Sequence, residues 1–217
     1  MKFVLASQSP RRRELLSLTG LEFEIVPTHS DESQGAGETP IDYACRLSRD
    51  KARAAAAHVE GTALIIAADT IVVDGDEVLG KPENISEATA TLTQLRGRTH
   101  HVITAVTLYD TARDRIISEH CRSPVMMRNY TDEEIAAYIA TGDPFDKAGA
   151  YAIQNEGFHP ALVFAHCFAN VMGLPLCHIN RMLWKLGYAP PVNVPDTCQT
   201  GIGYTCPVYR TLLEPRS

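Results

Sequence analysis

The chain has 217 residues and a formal net charge of −6, long enough to bury a sizeable core and too acidic for a protein that coats nucleic acid. Hydrophobic residues at 45% and charged residues at 21% exclude a disordered chain. An acidic protein that binds an anionic substrate must gather its few cations locally or recruit a metal.

The opening stretch MKFVLASQSPRRRELL has one short apolar patch, residues 3–6, followed by a polar turn and arginines. A signal peptide puts its charge first and carries a longer apolar run. No segment approaches membrane-spanning length, so a cytoplasmic protein is expected.

Residues 2–6 read as a short buried strand, and Pro10 suits the first position of a helix that ends near Thr19, before Gly20. Residues 22–26 form a second strand, 27–39 a polar loop holding Asp31 and Glu32, and 40–58 an alanine-rich helix. Residues 62–68 are a buried strand expected to stop at Asp69. Asp74-Gly75-Asp76 marks a hairpin between 71–73 and 77–79. A helix over 86–95 precedes two long paired strands, 99–109 and 115–127. Thr131 and Glu134 form a capping box, opening a helix that ends near Gly142. Residues 161–168 read as a strand, and Pro175 starts a last helix that stops at Gly187. From Tyr188 the chain is rich in Pro, Thr and Gly without periodicity, so residues 188–217 are expected to form an irregular tail beside a domain of residues 1–187. Strands alternating with helices, with an antiparallel section between, predict an α/β fold around a mixed twisted sheet.

Four segments carry candidate chemistry. In the first, Ser7-Gln8-Ser9-Pro10-Arg11 joins a strand to a helix start, where free amides and the helix dipole favour phosphate. Ser7 and Ser9 add hydroxyls and Arg11 a charge; Ser9 also suits a plain helix cap. The second is Asp69-Thr70 at a strand end, where α/β sheets gather ligands; with Asp31 and Glu32 from the polar loop it offers the oxygens that Mg²⁺ takes, although the loop pair also reads as plainly solvated. The third is Lys81, pinned between Gly80 and Pro82, with Lys51 on the alanine-rich helix; both also read as surface lysines. The fourth is residues 143–154, in which Lys147 can meet phosphate and Gln154 can read a base edge. Cys45, Cys121, Cys167, Cys177, Cys198 and Cys206 form no C-x-x-C pair and fit no common zinc spacing, so free thiols are expected.

Together the segments Leu5-Ala6-Ser7-Gln8-Ser9-Pro10-Arg11-Arg12, Asp31-Glu32, Lys51-Ala52-Arg53, Ala68-Asp69-Thr70-Ile71-Val72, Gly80-Lys81-Pro82, Gly97-Arg98-Thr99-His100-His101-Val102-Ile103-Thr104, Asp146-Lys147-Ala148-Gly149-Ala150-Tyr151-Ala152-Ile153-Gln154 and Val171-Met172-Gly173-Leu174-Pro175-Leu176 resemble, in order and spacing, the Maf family of nucleotide pyrophosphatases. The resemblance implies a mixed sheet with a central nucleotide-binding cleft, shared with the inosine triphosphate pyrophosphatases, and usually a homodimer. It also implies hydrolysis of a nucleoside triphosphate to monophosphate and pyrophosphate with Mg²⁺ or Mn²⁺. Asp69 matches the family's catalytic carboxylate. Arg11, Thr70 and Gln154 match positions tied to substrate choice, and Glu32, Lys51, Lys81 and Lys147 match polar residues of the cleft. Glu32 and Asp69 are the implied metal ligands, with Asp69 alternatively the general base. The Asp-Thr pair resembles the branch acting on dTTP and UTP. The chain departs from the family's Gly-Ser-Tyr step at Ala165-His166-Cys167-Phe168-Ala169-Asn170. A purine-directed enzyme of the inosine triphosphate type and a non-catalytic nucleotide-binding regulator of cell division are the rival readings.

Overall fold

The computed structural model describes residues 1–28 and 31–213; residues 214–217 of the expected tail lie outside that range. At the centre is β3 (Ala63–Asp74). Its first half runs parallel to β1 (Lys2–Leu5), with Leu5 opposite Ile66. Strand β1 in turn pairs in parallel with β2 (Phe23–Ile25). Along its other edge β3 pairs antiparallel with β5 (Thr99–Asp110) from Leu64 to Val73. The sheet continues through β6 (Arg115–Met127) to β7 (Ala161–Val163). Strand β4 (Glu77–Leu79) folds back on the far end of β3 through Gly75, whose φ of 64° suits a tight hairpin. The sheet is mixed and seven-stranded, in the order β2-β1-β3-β5-β6-β7 with β4 beside β3.

Two features of β3 position the site. Between Ile66, the last β1 partner, and Val72, the first β4 partner, one edge of β3 has no strand beside it among the described residues. Its side chains also alternate between faces. Ala63, Ile65, Ala67, Ile71 and Val73 pack on α2 (Pro40–Ala56), against Tyr43, Ala44, Leu47, Ala52 and Ala55. Leu64, Ile66 and Ala68 pack on the opposite face against α1 (Pro10–Ser17) and the C-terminal helices, while Val72 joins a separate cluster there with α3 (Ile85–Leu95) and α4 (Asp132–Ala140). A cleft separates those two clusters.

The helix signals are observed as hydrogen bonds. Ser9, Thr39 and Asn84 cap α1, α2 and α3, and both bonds of the Thr131–Glu134 capping box are present. Three expectations need correction. The strand of residues 62–68 does not stop at Asp69; β5 continues to satisfy its backbone, with Asp69 opposite Ala105 and Thr70 opposite Thr104. The strand over 161–168 is limited to β7, because Cys167 begins the short helix α5 (Phe168–Val171), followed by α6 (Leu176–Lys185). The tail is not irregular: it forms α7 (Val194–Ile202) and α8 (Tyr209–Leu213), and buries Val194 and Cys198 in the core. Thr197 Oγ1 donates to the Leu18 carbonyl at 2.7 Å, and Arg181 of α6 donates to the Leu212 carbonyl while pairing with Glu119 of β6. Among the described residues no helix is long and apolar enough to cross a membrane.

His100 is fully buried, with Nε2 2.7 Å from the Tyr151 hydroxyl and Nδ1 without a partner among the described residues. Burial holds its pKa down to about 4 from the usual 6.5, with Asp74 opposing the shift. The unfolded chain therefore takes up this proton first, so stability falls as pH drops from about 6.5 towards 4, by roughly 3 kcal/mol in total. His100→Gln keeps a polar partner for Tyr151 and removes the titration. Urea unfolding between pH 7 and 4 should show a shallower loss in that variant; an unchanged slope would contradict the assignment.

Candidate functional site

The cleft has a volume of about 970 Å³, within the range of small-molecule sites. Its floor is Thr70, Val72 and Val102. One wall is the β1–α1 turn from Ser7 to Arg12 with Val171, Met172 and Gly173; the other carries Lys81, Lys147, Tyr151 and Gln154. Thr28, Glu32 and Lys51 also line it.

Asp69 points to the α2 face, with the odd-numbered residues of β3. Lys51, from α2, donates to Asp69 Oδ1 at 2.5 Å and to Glu32 Oε1 at 2.8 Å. One ammonium thus joins two carboxylates from separate segments. Tyr43, also on α2, donates to the Glu32 carbonyl and fixes the loop that brings Glu32 in. Burial alone would raise the Glu32 pKa; the Lys51 hydrogen bond and the charges of Lys51, Lys81 and Arg12 bring it below the ordinary value. Asp69 is 6% exposed and is linked to the cleft through Lys51, which lines it.

Thr70 points the opposite way. Arg12 Nη2 donates to Thr70 Oγ1 at 3.0 Å, Nε to the Gly173 carbonyl at 3.0 Å and Nη1 to Ser7 Oγ at 3.5 Å. Thr104 Oγ1 donates to the Asn170 carbonyl at 2.8 Å and lies 3.0 Å from Thr70 Oγ1. The Thr104 hydrogen being committed, the Thr70 hydroxyl must donate to Thr104 and accept from Arg12. Thr70 therefore orients Arg12 and has no hydrogen left for a ligand. Gly173, at φ 107°, seats this contact: a Cβ there would lie 3.2 Å from Thr70 Oγ1 and 3.4 Å from Arg12 Nε. Burial lowers the Arg12 pKa, and the charges of Asp69 and Glu32 oppose that shift; a guanidinium stays protonated regardless.

On the far wall Lys147 is 8% exposed and donates to Asp143 Oδ1 at 2.8 Å and to Asp146 Oδ1 at 2.5 Å. Gly149 sits at φ 71° where a Cβ would come within 2.8 Å of Val72, so glycine is required to seat this loop on β3. Arg11, Lys81 and Gln154 line the cleft without a hydrogen bond or ion pair to other described side chains.

Of the sequence-predicted residues, Ser7, Ser9, Arg11, Thr70, Lys51, Lys81, Lys147, Gln154 and Glu32 all line the one cleft, with Asp69 behind Lys51. Ser9 Oγ accepts the Arg12 amide and acts as the helix cap. Ser7 Oγ accepts from the Ser9 amide and from Arg12, which leaves its own hydrogen to donate. Sequence reasoning chose Arg11 from the arginine run and missed Arg12, the half-buried guanidinium at the centre of the Thr70 network. Only the rotation of α1 separates the two. Thr104 and Asn170 were missed as well; a threonine facing Thr70 across paired strands was the available signal.

The profile of the Maf-like protein family matches residues 2–186. The chain belongs to the Maf family. A relative from Geotalea uraniireducens (strain Rf4), named dTTP/UTP pyrophosphatase, is 46% identical over 85% of this chain and 94% of its own length. One of the same name from Geobacter sulfurreducens is 44% identical over 86% of this chain and 97% of its own. A third so named, from Dehalococcoides mccartyi, is 39% identical over 97% of this chain and 93% of its own. Among solved structures, a HAM1 protein from Coxiella burnetii is 17% identical over 79% of this chain and 94% of that one, with a TM-score of 0.45.

Among the described residues no group of three or more His, Cys, Asp or Glu is arranged to hold a metal. Glu32 and Asp69 offer two hard oxygen donors converging on one cationic point. That set fits Mg²⁺ or Mn²⁺, because Mg²⁺ keeps several waters and shares phosphate oxygens rather than filling its shell with protein ligands.

Removing the shared cation should be costly. Lys51→Met leaves Asp69 buried and unpaired beside Glu32, and should destabilise the fold by about 3 kcal/mol in urea unfolding without nucleotide. Lys51→Arg should recover much of that. Parental stability in Lys51→Met would show that the bridge does not hold the site together.

Proposed function

We propose that this protein is a nucleoside triphosphate pyrophosphatase that hydrolyses dTTP and UTP to the monophosphate and pyrophosphate. The carrying observation is the cleft in which the Lys51–Asp69–Glu32 group, on one face of β3, faces the half-buried Arg12 and the unengaged Arg11 and Lys81. Carboxylates beside several cations suit an in-line attack on a triphosphate, which needs positioning and charge neutralisation more than covalent help. The names of the curated relatives supply the substrates.

In this reading Arg11, Arg12 and Lys81 hold the triphosphate, with Ser7 donating from the turn. A water attacks the α-phosphorus, the bond to the bridging oxygen of pyrophosphate breaks, and the water's proton passes to Asp69. Lys51 already takes Oδ1, so Oδ2 is the oxygen left to receive it. Mg²⁺ or Mn²⁺ held by Glu32, and in the alternative assignment by Asp69 as well, would neutralise the phosphate charge. Only in that alternative would Lys51 leave Asp69 for the phosphates, and Asp69 would then not be the base. Lys147 acts as a brace: its ammonium is engaged by Asp143 and Asp146. The exposed amide of Gln154 reads the base, since an amide meets the adjacent carbonyl and N–H of uracil or thymine with two hydrogen bonds. The purine-directed enzyme and the non-catalytic regulator gain no support from these relatives. The protein works in the cytoplasm as a homodimer in this reading, and equilibrium sedimentation tests the oligomeric state.

The experiment is pyrophosphate release from dTTP, UTP, CTP, GTP and 7-methyl-GTP with Mg²⁺, with EDTA, and after metal is restored. Turnover should favour dTTP and UTP, stop in chelator and return with metal. Asp69→Asn should reduce kcat at least a hundredfold with the fold intact. Gln154→Ala should lose about 1–3 kcal/mol of preference for uracil and thymine for each hydrogen bond removed. A purine as best substrate, full activity in EDTA, or near-normal turnover in Asp69→Asn would each overturn its part of the reading.

A further inference from the structure

Outside the cleft, the most unusual chemical grouping is a set of thiols. Cys167, Cys177, Cys198 and Cys206 line one small cavity between α5, α6 and the C-terminal segment. Cys167 is the residue that starts α5, Cys198 lies in α7, and Cys206 lies in the turn between α7 and α8. The Cys206 and Cys167 side chains face each other across this cavity, close enough to influence each other's ionisation, and Cys167 also neighbours Cys121 of β6. Of these five, Cys206 alone is partly exposed. A dissolved oxidant therefore reaches Cys206 first, and the sulfur waiting behind it is Cys167.

We propose that Cys206 and Cys167 form a disulfide on exposure to a peroxide, a reversible staple that ties the α7–α8 segment to the start of α5. The Cys206 thiolate attacks one peroxide oxygen, giving a sulfenic acid and releasing hydroxide. The Cys167 sulfur then attacks the Cys206 sulfur; the S–S bond forms, the S–O bond breaks and the oxygen leaves as water. Overall, two thiols and one hydrogen peroxide become one disulfide and two waters. A dithiol reductant reverses it by exchange.

The surroundings favour this pairing. Cys206 lies in a turn, where a shift of the backbone costs least, and two contacts hold the turn beside α5 and α7. Its amide donates to Gln199 Oε1 at 3.0 Å, and the Tyr204 hydroxyl donates to the Phe164 carbonyl at 3.0 Å. The Tyr204 ring packs on Phe168, the first residue of α5, with centroids 5.2 Å apart. The two thiols have only to close across this small cavity to the roughly 2 Å of an S–S bond. The Cys121 contact and burial hold the Cys167 thiol above the ordinary range, with the Cys206 contact opposing the shift, and the Cys167 contact and burial raise Cys206. Thiolate is scarce at neutral pH, so the reaction is slow there and accelerates as pH rises.

The test treats the folded full-length protein with hydrogen peroxide at pH 7 and pH 9, blocks remaining thiols with N-ethylmaleimide, and maps disulfides by tandem mass spectrometry. The parent and Cys198→Ser should both yield a Cys167–Cys206 link, faster at pH 9 and reversed by dithiothreitol. Cys206→Ser should yield none while melting near the parent's reduced Tm. The oxidised parent should melt several degrees higher, roughly as a loop-closing cross-link predicts. A link from Cys206 to Cys198 or Cys177, irreversible oxidation of Cys206 without a link, or six blocked thiols after treatment would each overturn the proposal.

Discussion

Successive residues of an extended strand point to opposite faces of the sheet, and β3 applies that constraint where its edge is bare. Asp69 and Thr70 are neighbours in the chain, yet one turns to α2 and the other to the side of α1 and α5. In a continuous sheet the two would never serve the same ligand. Because β1 stops pairing at Ile66 and β4 begins only at Val72, the cleft passes the edge of β3 and reaches both faces. The antiparallel pairing with β5 runs unbroken through that gap.

The two faces do different work. On the α2 side a lysine ties two carboxylates together, an arrangement in which one cation can be exchanged for another. On the other side a guanidinium, two threonine hydroxyls and two backbone carbonyls form a network whose donors and acceptors are matched. A matched network resists rearrangement, because any member moved leaves a buried polar group unsatisfied. The first face is thus suited to chemistry and the second to holding a substrate in one position. Arg11, Lys81 and Gln154, unengaged around the rim, are left to meet the ligand.

Much of this was legible in the sequence where a signal is local. The Thr131–Glu134 box, the glycine hairpin at Gly75 and the proline helix starts at Pro10 and Pro40 each depend on a few neighbouring residues, and each is where it was expected. The continuation of β3 past Asp69 was not legible, because a carboxylate after an apolar run reads as a strand end when its partner strand is unseen. Arg12 was hidden in a run of three arginines, since the choice between them depends on how α1 is rotated. The helices after Tyr188 were hidden for a related reason. They are short, carry Pro and Gly, and owe their order to packing on Leu18, Arg181 and the thiol-lined cavity.

The claim that chemistry and substrate holding lie on opposite faces of β3 is tested most directly by equilibrium binding without turnover. Calorimetric titration with the α,β-imido analogue of dUTP should give Asp69→Asn an affinity equal to or tighter than the parent's, since the substitution removes a negative charge and releases Lys51. Arg12→Lys should bind at least tenfold more weakly, because an ammonium cannot span Thr70, Gly173 and Ser7 together. Loss of binding in Asp69→Asn comparable to that in Arg12→Lys would contradict the division.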